Sequence, residues 1–222
     1  MIYYRLSQKQ LEEKSEELLK KYDKELLYKT KEIDVYSVIE ACLDVPYDWK
    51  YLTPDQSILG LTAFNPGYIY TWPESHFEDG MLPQKTYLEK GTIVIDSTLT
   101  ESSNRGRENF TVIHEVFHQV IHQKCFKREP ADYAHYTTAS AIKGQKKKLD
   151  TALDIIEYQA NSCAAAFLMP KNLVREIFHK QYNKSEPPKA YMVDTICERM
   201  APEFNVSKTA MKYRLQNLKL VY

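Results

Sequence analysis

Two histidines four residues apart, His114 and His118, bracket a glutamate, Glu115, in the stretch HEVFHQVIH. On a helix of about 3.6 residues per turn and about 1.5 Å rise per residue, both imidazoles lie on one face, about 6 Å apart along the axis. Two ring nitrogens at that spacing can reach one ion. Zinc accepts nitrogen at about 2.0–2.1 Å, and a catalytic zinc keeps about three protein ligands and one position for water. Glu115 points beside the pair, where a carboxylate can act as general base toward such a water. The ion would lower the pKa of that water to about 7 and polarise a carbonyl due for cleavage. The competing reading is two satisfied histidines and a solvated charge. The flanks favour the first reading: Phe110, Ile113, Phe117, Val120 and Ile121 recur at helical spacing and give the helix a buried side.

A third ligand has to come from elsewhere. His122 lies about 12 Å along the axis from His114, too far for three histidines to converge on one ion. The stretch EYQANSCAAAFLMP is a better source. Thr151 to Met169 reads as an apolar helix ended by Pro170. Glu157, Ala160, Asn161, Ala164 and Leu168 share a face, and the small residues let another helix approach closely. Glu157 can then reach an ion held by His114 and His118, with Asp154 one turn earlier competing for the role. Asn161 can hold a histidine's second nitrogen and so fix its tautomer and ring orientation. Between the two helices, Phe126 to Asp150 has little periodicity, as covers and binding loops do. Tyr133, His135 and Tyr136 in it are candidate donors to a developing oxyanion.

The elements that must position these residues suggest an α+β fold. A small antiparallel or mixed sheet would pack against the HExxH helix and the second ligand helix, and a helical segment would close the chain. The expected division is 1–56, an N-terminal helical part of the same domain; 57–180, the metal-binding core; and 190–222, a helix-turn-helix-like segment. Ser7 to about Leu27 reads as a charged amphipathic helix, and Asp34 as the cap of a second. Tyr47 to Gln56 reads as a connection. Ser57–Phe64 and Tyr68–Trp72, around the turn signal Asn65-Pro66-Gly67, suggest a hairpin. Pro73 to Lys90, with His76, reads as a loop. The strand GTIVID, Gly91 to Asp96, would lie beside the motif helix and could form a sheet edge able to hold an extended peptide. Asp194–Met200 and Ser207–Leu218 read as two terminal helices. The last carries Lys208, Lys212, Arg214 and Lys219 without an acid, so it reads DNA, packs on the rest of the chain or binds a protein substrate.

Composition narrows the classes. The 222 residues hold 30 basic and 30 acidic side chains, which argues against a generic binder of nucleic acid or anionic membrane. No apolar run approaches the roughly 20 residues of a membrane span, and no signal-type segment opens the chain. The cysteines, Cys42, Cys125, Cys163 and Cys197, have no paired spacing and read as reduced thiols, so the expected location is the cytoplasm.

Taken together, RENFTVIHEVFHQVIH, IEYQANSCAAAFLMP, the preceding GTIVID and the ending FNVSKTAMKYRLQNLKLV resemble the ImmA/IrrE family of zinc metallopeptidases, over Gly91 to Tyr222. HExxH alone is modestly specific; joined to E-x-x-A-N and a closing L-M-P it is strongly so. The resemblance implies that His114, His118 and Glu157 hold Zn2+ and that Glu115 is catalytic. It implies a soluble cytoplasmic endopeptidase of narrow specificity, acting on one protein substrate. Known members cleave helix-turn-helix repressors of mobile elements or stress regulons. The chain departs from the pattern at Phe117, where a small residue or glycine is usual, and at Gln159, where many members carry a second glutamate. The alternative is a non-catalytic, metal-containing regulator that binds DNA or a partner protein through its C-terminal helices.

Overall fold

The computed structural model describes residues 4–74, 80–101, 105–126, 133–134, 136–140 (backbone only), 150–182 and 188–222. Helix α1, Gln8–Asp23, starts at Ser7, whose hydroxyl accepts from the Gln10 amide while the Gln10 side chain accepts from the Ser7 amide. This reciprocal pair satisfies two of the orphan donors of a helix start. Helix α2, Val35–Cys42, starts at Asp34, whose carboxylate accepts from the Tyr36 and Ser37 amides. The expected cap is in place. Helices α3, Ser97–Glu101, and α4, Arg105–Phe117, lead into a π-helical turn, His118–His122. Then come α5, Ala152–Leu168; α6, Lys171–Gln181; α7, Val193–Met200; and α8, Lys208–Asn217, capped by Ser207.

Four strands form a mixed sheet: β1 (Tyr47–Lys50), β2 (Ile58–Ala63), β5 (Ile93–Asp96) and β6 (Tyr136–Ser140), in the order β1-β5-β2-β6. The β1–β5 pair is parallel; β5–β2 and β2–β6 are antiparallel. Strands β3 (Gly67–Thr71) and β4 (Gln84–Leu88) pair with each other in a separate two-stranded sheet, and β3 also meets Tyr133 in a bridge at Tyr68. The architecture is therefore α+β with a small mixed sheet and a C-terminal helical segment, as expected.

Four local expectations need correcting, the first being the connection Tyr47 to Gln56, whose opening residues form strand β1 through their pairing with β5. The hairpin between the second and third strands does not form. β2 is buried along nearly its whole length and takes an interior place between β5 and β6, whereas β3 alternates buried and exposed and pairs with β4. A strand apolar on both faces is most stable inside a sheet; one with a single apolar face suits a two-stranded ribbon. GTIVID, in turn, is not an edge, because β1 and β2 flank it. The presumed loop 73–90 contains β4, whose sequence QKTYL has too few apolar residues to announce a strand.

Sheet alternation divides the interior. Ile93 and Ile95 join the large core of the helices, while Val94 and Leu61 join Ile69 and Leu88 on the β3–β4 side. The large core runs without interruption from Leu11 through Ile113, Phe167, Ile196, Met211 and Leu215 to Val221. Arg214, 1 % exposed, clamps the chain ends together. Its two terminal nitrogens face both carboxylate oxygens of Glu12 (3.0 Å for Nη2–Oε2), and its Nε donates to the Met169 carbonyl at 2.9 Å. Lys208 pairs with Glu198 and Lys212 with Asp194. All four cysteines are buried and none forms a disulfide. Among the described residues, no helix is long and apolar enough to cross a membrane.

Candidate metal centre

Helix α4 lies across β2 at very close range. A Cβ at Gly60 would sit 2.9 Å from Thr111 Cγ2 and 3.1 Å from Glu115 Cγ, so only glycine allows this approach. Two residues along, on the same side of the strand, Thr62 Oγ1 donates to Glu115 Oε2 at 2.7 Å and lies 3.2 Å from the Glu115 carbonyl oxygen. The Glu115 carboxylate is thereby fixed in a fully buried position.

On the other side of α4, α5 supplies Glu157. The ligand atoms of His114, His118 and Glu157 all lie within 4.8 Å of one another. A tetrahedral ion bonded at about 2.0–2.1 Å would hold its ligand atoms about 3.3 Å apart. Here the two Nε2 atoms are 2.9 Å apart, His114 Nε2 is 3.2 Å from Glu157 Oε2, and His118 Nε2 is 3.4 Å from Glu157 Oε1. His114 Nδ1 lies 3.1 Å from Asn161 Oδ1, an acceptor, which puts the ring proton on Nδ1 and the lone pair on Nε2. The residues therefore fit a divalent ion in both geometry and donor type. His114 and His118 are buried while Glu157 is 26 % exposed, so the centre opens toward solvent on the carboxylate side.

The electrostatics point the same way. Burial opposes charge on His114, but the hydrogen bond and negative charge of Glu157 prevail and hold its ring above the ordinary histidine range. Burial also pushes Glu157 up, yet the two rings together leave it well below the usual carboxylate range. His118 is pulled down to about 4, chiefly by burial. The site holds a carboxylate anion beside two buried rings, a charge pattern that a divalent cation complements.

The family model Peptidase_M78, described as IrrE N-terminal-like domain, matches residues 74–216, well over half of the chain. The chain belongs to this family. No curated protein matches it. As an IrrE-like domain it falls in a metallopeptidase-type family, and the His–His–Glu group is the place in it that could hold a metal.

The other candidate residues of this IrrE-like domain have different surroundings. Asp154, the competing ligand, caps its own helix: its Oδ2 accepts from the amide and hydroxyl of Thr151 at 3.0 and 2.7 Å. Phe117 is fully buried, its ring 6.0 Å from that of Phe167, so its bulk lies in the core. The Tyr133 hydroxyl is 3.1 Å from that of Tyr70 on β3, with Lys85 Nζ 5.6 Å from the Tyr133 ring centre. His76, His135 and the Tyr136 side chain lie outside the described residues. Sequence reasoning missed Thr62, because nothing in ILGLTA announces which helix residue the strand meets. It also missed the contacts of His122 and Gln159: His122 Nδ1 is 3.0 Å from His118 Nδ1, and His122 Nε2 is 3.2 Å from Gln159 Oε1. The i, i+4 spacing of His118 and His122 was the available signal.

Proposed function

We propose that this chain is a zinc-dependent cytoplasmic endopeptidase that hydrolyses a regulatory protein, with a helix-turn-helix repressor of a mobile element or stress regulon as the expected class of substrate. The observation that carries the reading is the convergence of His114, His118 and Glu157 beside Glu115, in a chain of a metallopeptidase-type family. The two Nε2 atoms and the Glu157 carboxylate would hold the ion. When bound, zinc supplies the Lewis acidity that polarises the scissile carbonyl and acidifies a water. Glu115 takes the proton of the attacking water on its carboxylate and delivers it to the departing amine nitrogen. Thr62 orients that carboxylate, and Asn161 holds the His114 ring with its lone pair toward the ion.

The alternative of a DNA-reading C-terminal segment finds little support. Of its four basic side chains, Arg214 is buried against Glu12, and Lys208 and Lys212 are paired within the chain. The test is to incubate the purified zinc-loaded protein and its Glu115→Gln variant with the small repressor encoded nearest to it. The reading expects both proteins to carry zinc and only the first to cut. Equal biological output from the variant would favour the non-catalytic regulator instead.

A further inference from the structure

Each histidine of the cluster must present an Nε2 lone pair to bind an ion, and the two achieve this differently. His114 is set directly by Asn161. His118 is set through a chain of three residues. Gln159 Nε2 donates to the Tyr4 carbonyl oxygen at 2.8 Å, which fixes the amide so that its Oε1 faces His122 Nε2 at 3.2 Å. An amide oxygen can only accept, so the proton of neutral His122 sits on Nε2 and its Nδ1 bears a lone pair. His118 Nδ1, 3.0 Å away, must then be the donor. That leaves the lone pair of His118 on Nε2, facing His114 Nε2 at 2.9 Å and Glu157 at 3.4 Å.

We propose that His122 and Gln159 are positioning residues that lock His118 in its metal-binding tautomer. The inference rests on reading the His–His–Glu cluster as a metal centre. Two features make the chain directional. Reversing the amide would set its oxygen against the Tyr4 carbonyl, two acceptors face to face. His118, His122 and Gln159 are each at most 2 % exposed, and buried polar groups of this kind are held by hydrogen bonds to their neighbours. The π-helical turn starts at His118 and ends at His122, and it brings the two Nδ1 atoms together across it.

The test uses the full-length protein with nitrogen-15-labelled histidine, first metal-free. Ring-nitrogen spectra at neutral pH should show His118 protonated on Nδ1 and His122 on Nε2. The opposite assignment for either ring would overturn the proposal. Zinc affinity is then measured by competition with a chelator for the parent protein, His122→Phe and Gln159→Leu. Loss of a residue that orients a ligand weakens metal binding about 10- to 100-fold, and that loss is expected in both variants. A parent that binds zinc with variants that bind it within about twofold as tightly would sink the positioning role alone. A parent that binds no zinc would sink the metal centre itself. If the variants do not fold, the tautomers of the parent protein decide.

Discussion

Helix α5 carries a buried polar cluster near each end, and the two clusters are built on opposite principles. Past its C-terminal end, Arg214, Glu12 and the Met169 carbonyl match donor to acceptor: two guanidinium nitrogens meet two carboxylate oxygens, and the third meets a carbonyl. Near its N-terminal end, Glu157 meets two imidazole nitrogens whose partner nitrogens are already engaged by Asn161 and His122. The first cluster is complete without any ligand. The second gathers acceptors that a cation would complete. Burial of polar groups is common to both, so burial alone does not mark a functional site; the excess of acceptors does.

The sharpest way to separate the clusters is to remove chemistry without touching stability. Glu115→Gln should lower the cleavage rate about 10²- to 10⁴-fold, the usual contribution of general acid–base catalysis, with zinc content and melting temperature unchanged. Single-turnover cleavage beside metal analysis checks this, and a fall in zinc content would show that Glu115 does more than proton transfer. The converse experiment is Arg214→Met, which leaves Glu12 buried and unpaired and should cost about 3–5 kcal/mol in urea unfolding. Zinc affinity of the folded fraction should stay the same. A Glu12→Met, Arg214→Met double variant should regain much of that loss, since a well-packed apolar pair can replace a buried ion pair.

Gly60→Val tests the seam between strand and motif helix. The added atoms would meet Thr111 and Glu115, and such overpacking costs about 1–3 kcal/mol. Activity should fall further than stability explains, because the general base is what must move. The smallest effect concerns protons. Glu157 raises His114 above its ordinary value while burial pulls His118 down to about 4, so His114 is the ring that keeps a second proton to the higher pH and releases it to the ion. Zinc affinity should therefore rise with pH until His114 has lost its proton, by about tenfold per pH unit at most, and then level off. Calorimetry in buffers of different ionisation enthalpy should count about one proton released below that plateau. A count near two would mean that His118 is also charged in the metal-free protein.

Much of this was legible in the sequence where the signal was local. The spacing of His114 and His118, the small face of Ala160 and Ala164, and the cap Asp34 each follow from a few neighbouring residues. Strands were harder. β1 (YDWK), β4 (QKTYL) and β6 (YTTAS) carry few aliphatic residues, and their pairing depends on partners far along the chain. Side-chain contacts between elements, beyond those of Glu157 and Asn161 with the motif histidines, were not legible. Thr62 with Glu115, and Gln159 with His122, join residues 53 and 37 positions apart. The basic residues of the last helix left two readings open for the same reason: Arg214 finds its place only once Glu12, 202 residues away, is set beside it.

The role proposed for the second cluster requires that it hold an ion. Equilibrium zinc binding to the parent protein and to Glu157→Gln, measured against a chelator of known affinity, tests this most directly. One ion per chain in the parent protein, and an affinity lower by at least about 100-fold in the variant, is the predicted result. Equal affinity in the two proteins, or no binding to the parent, would contradict it.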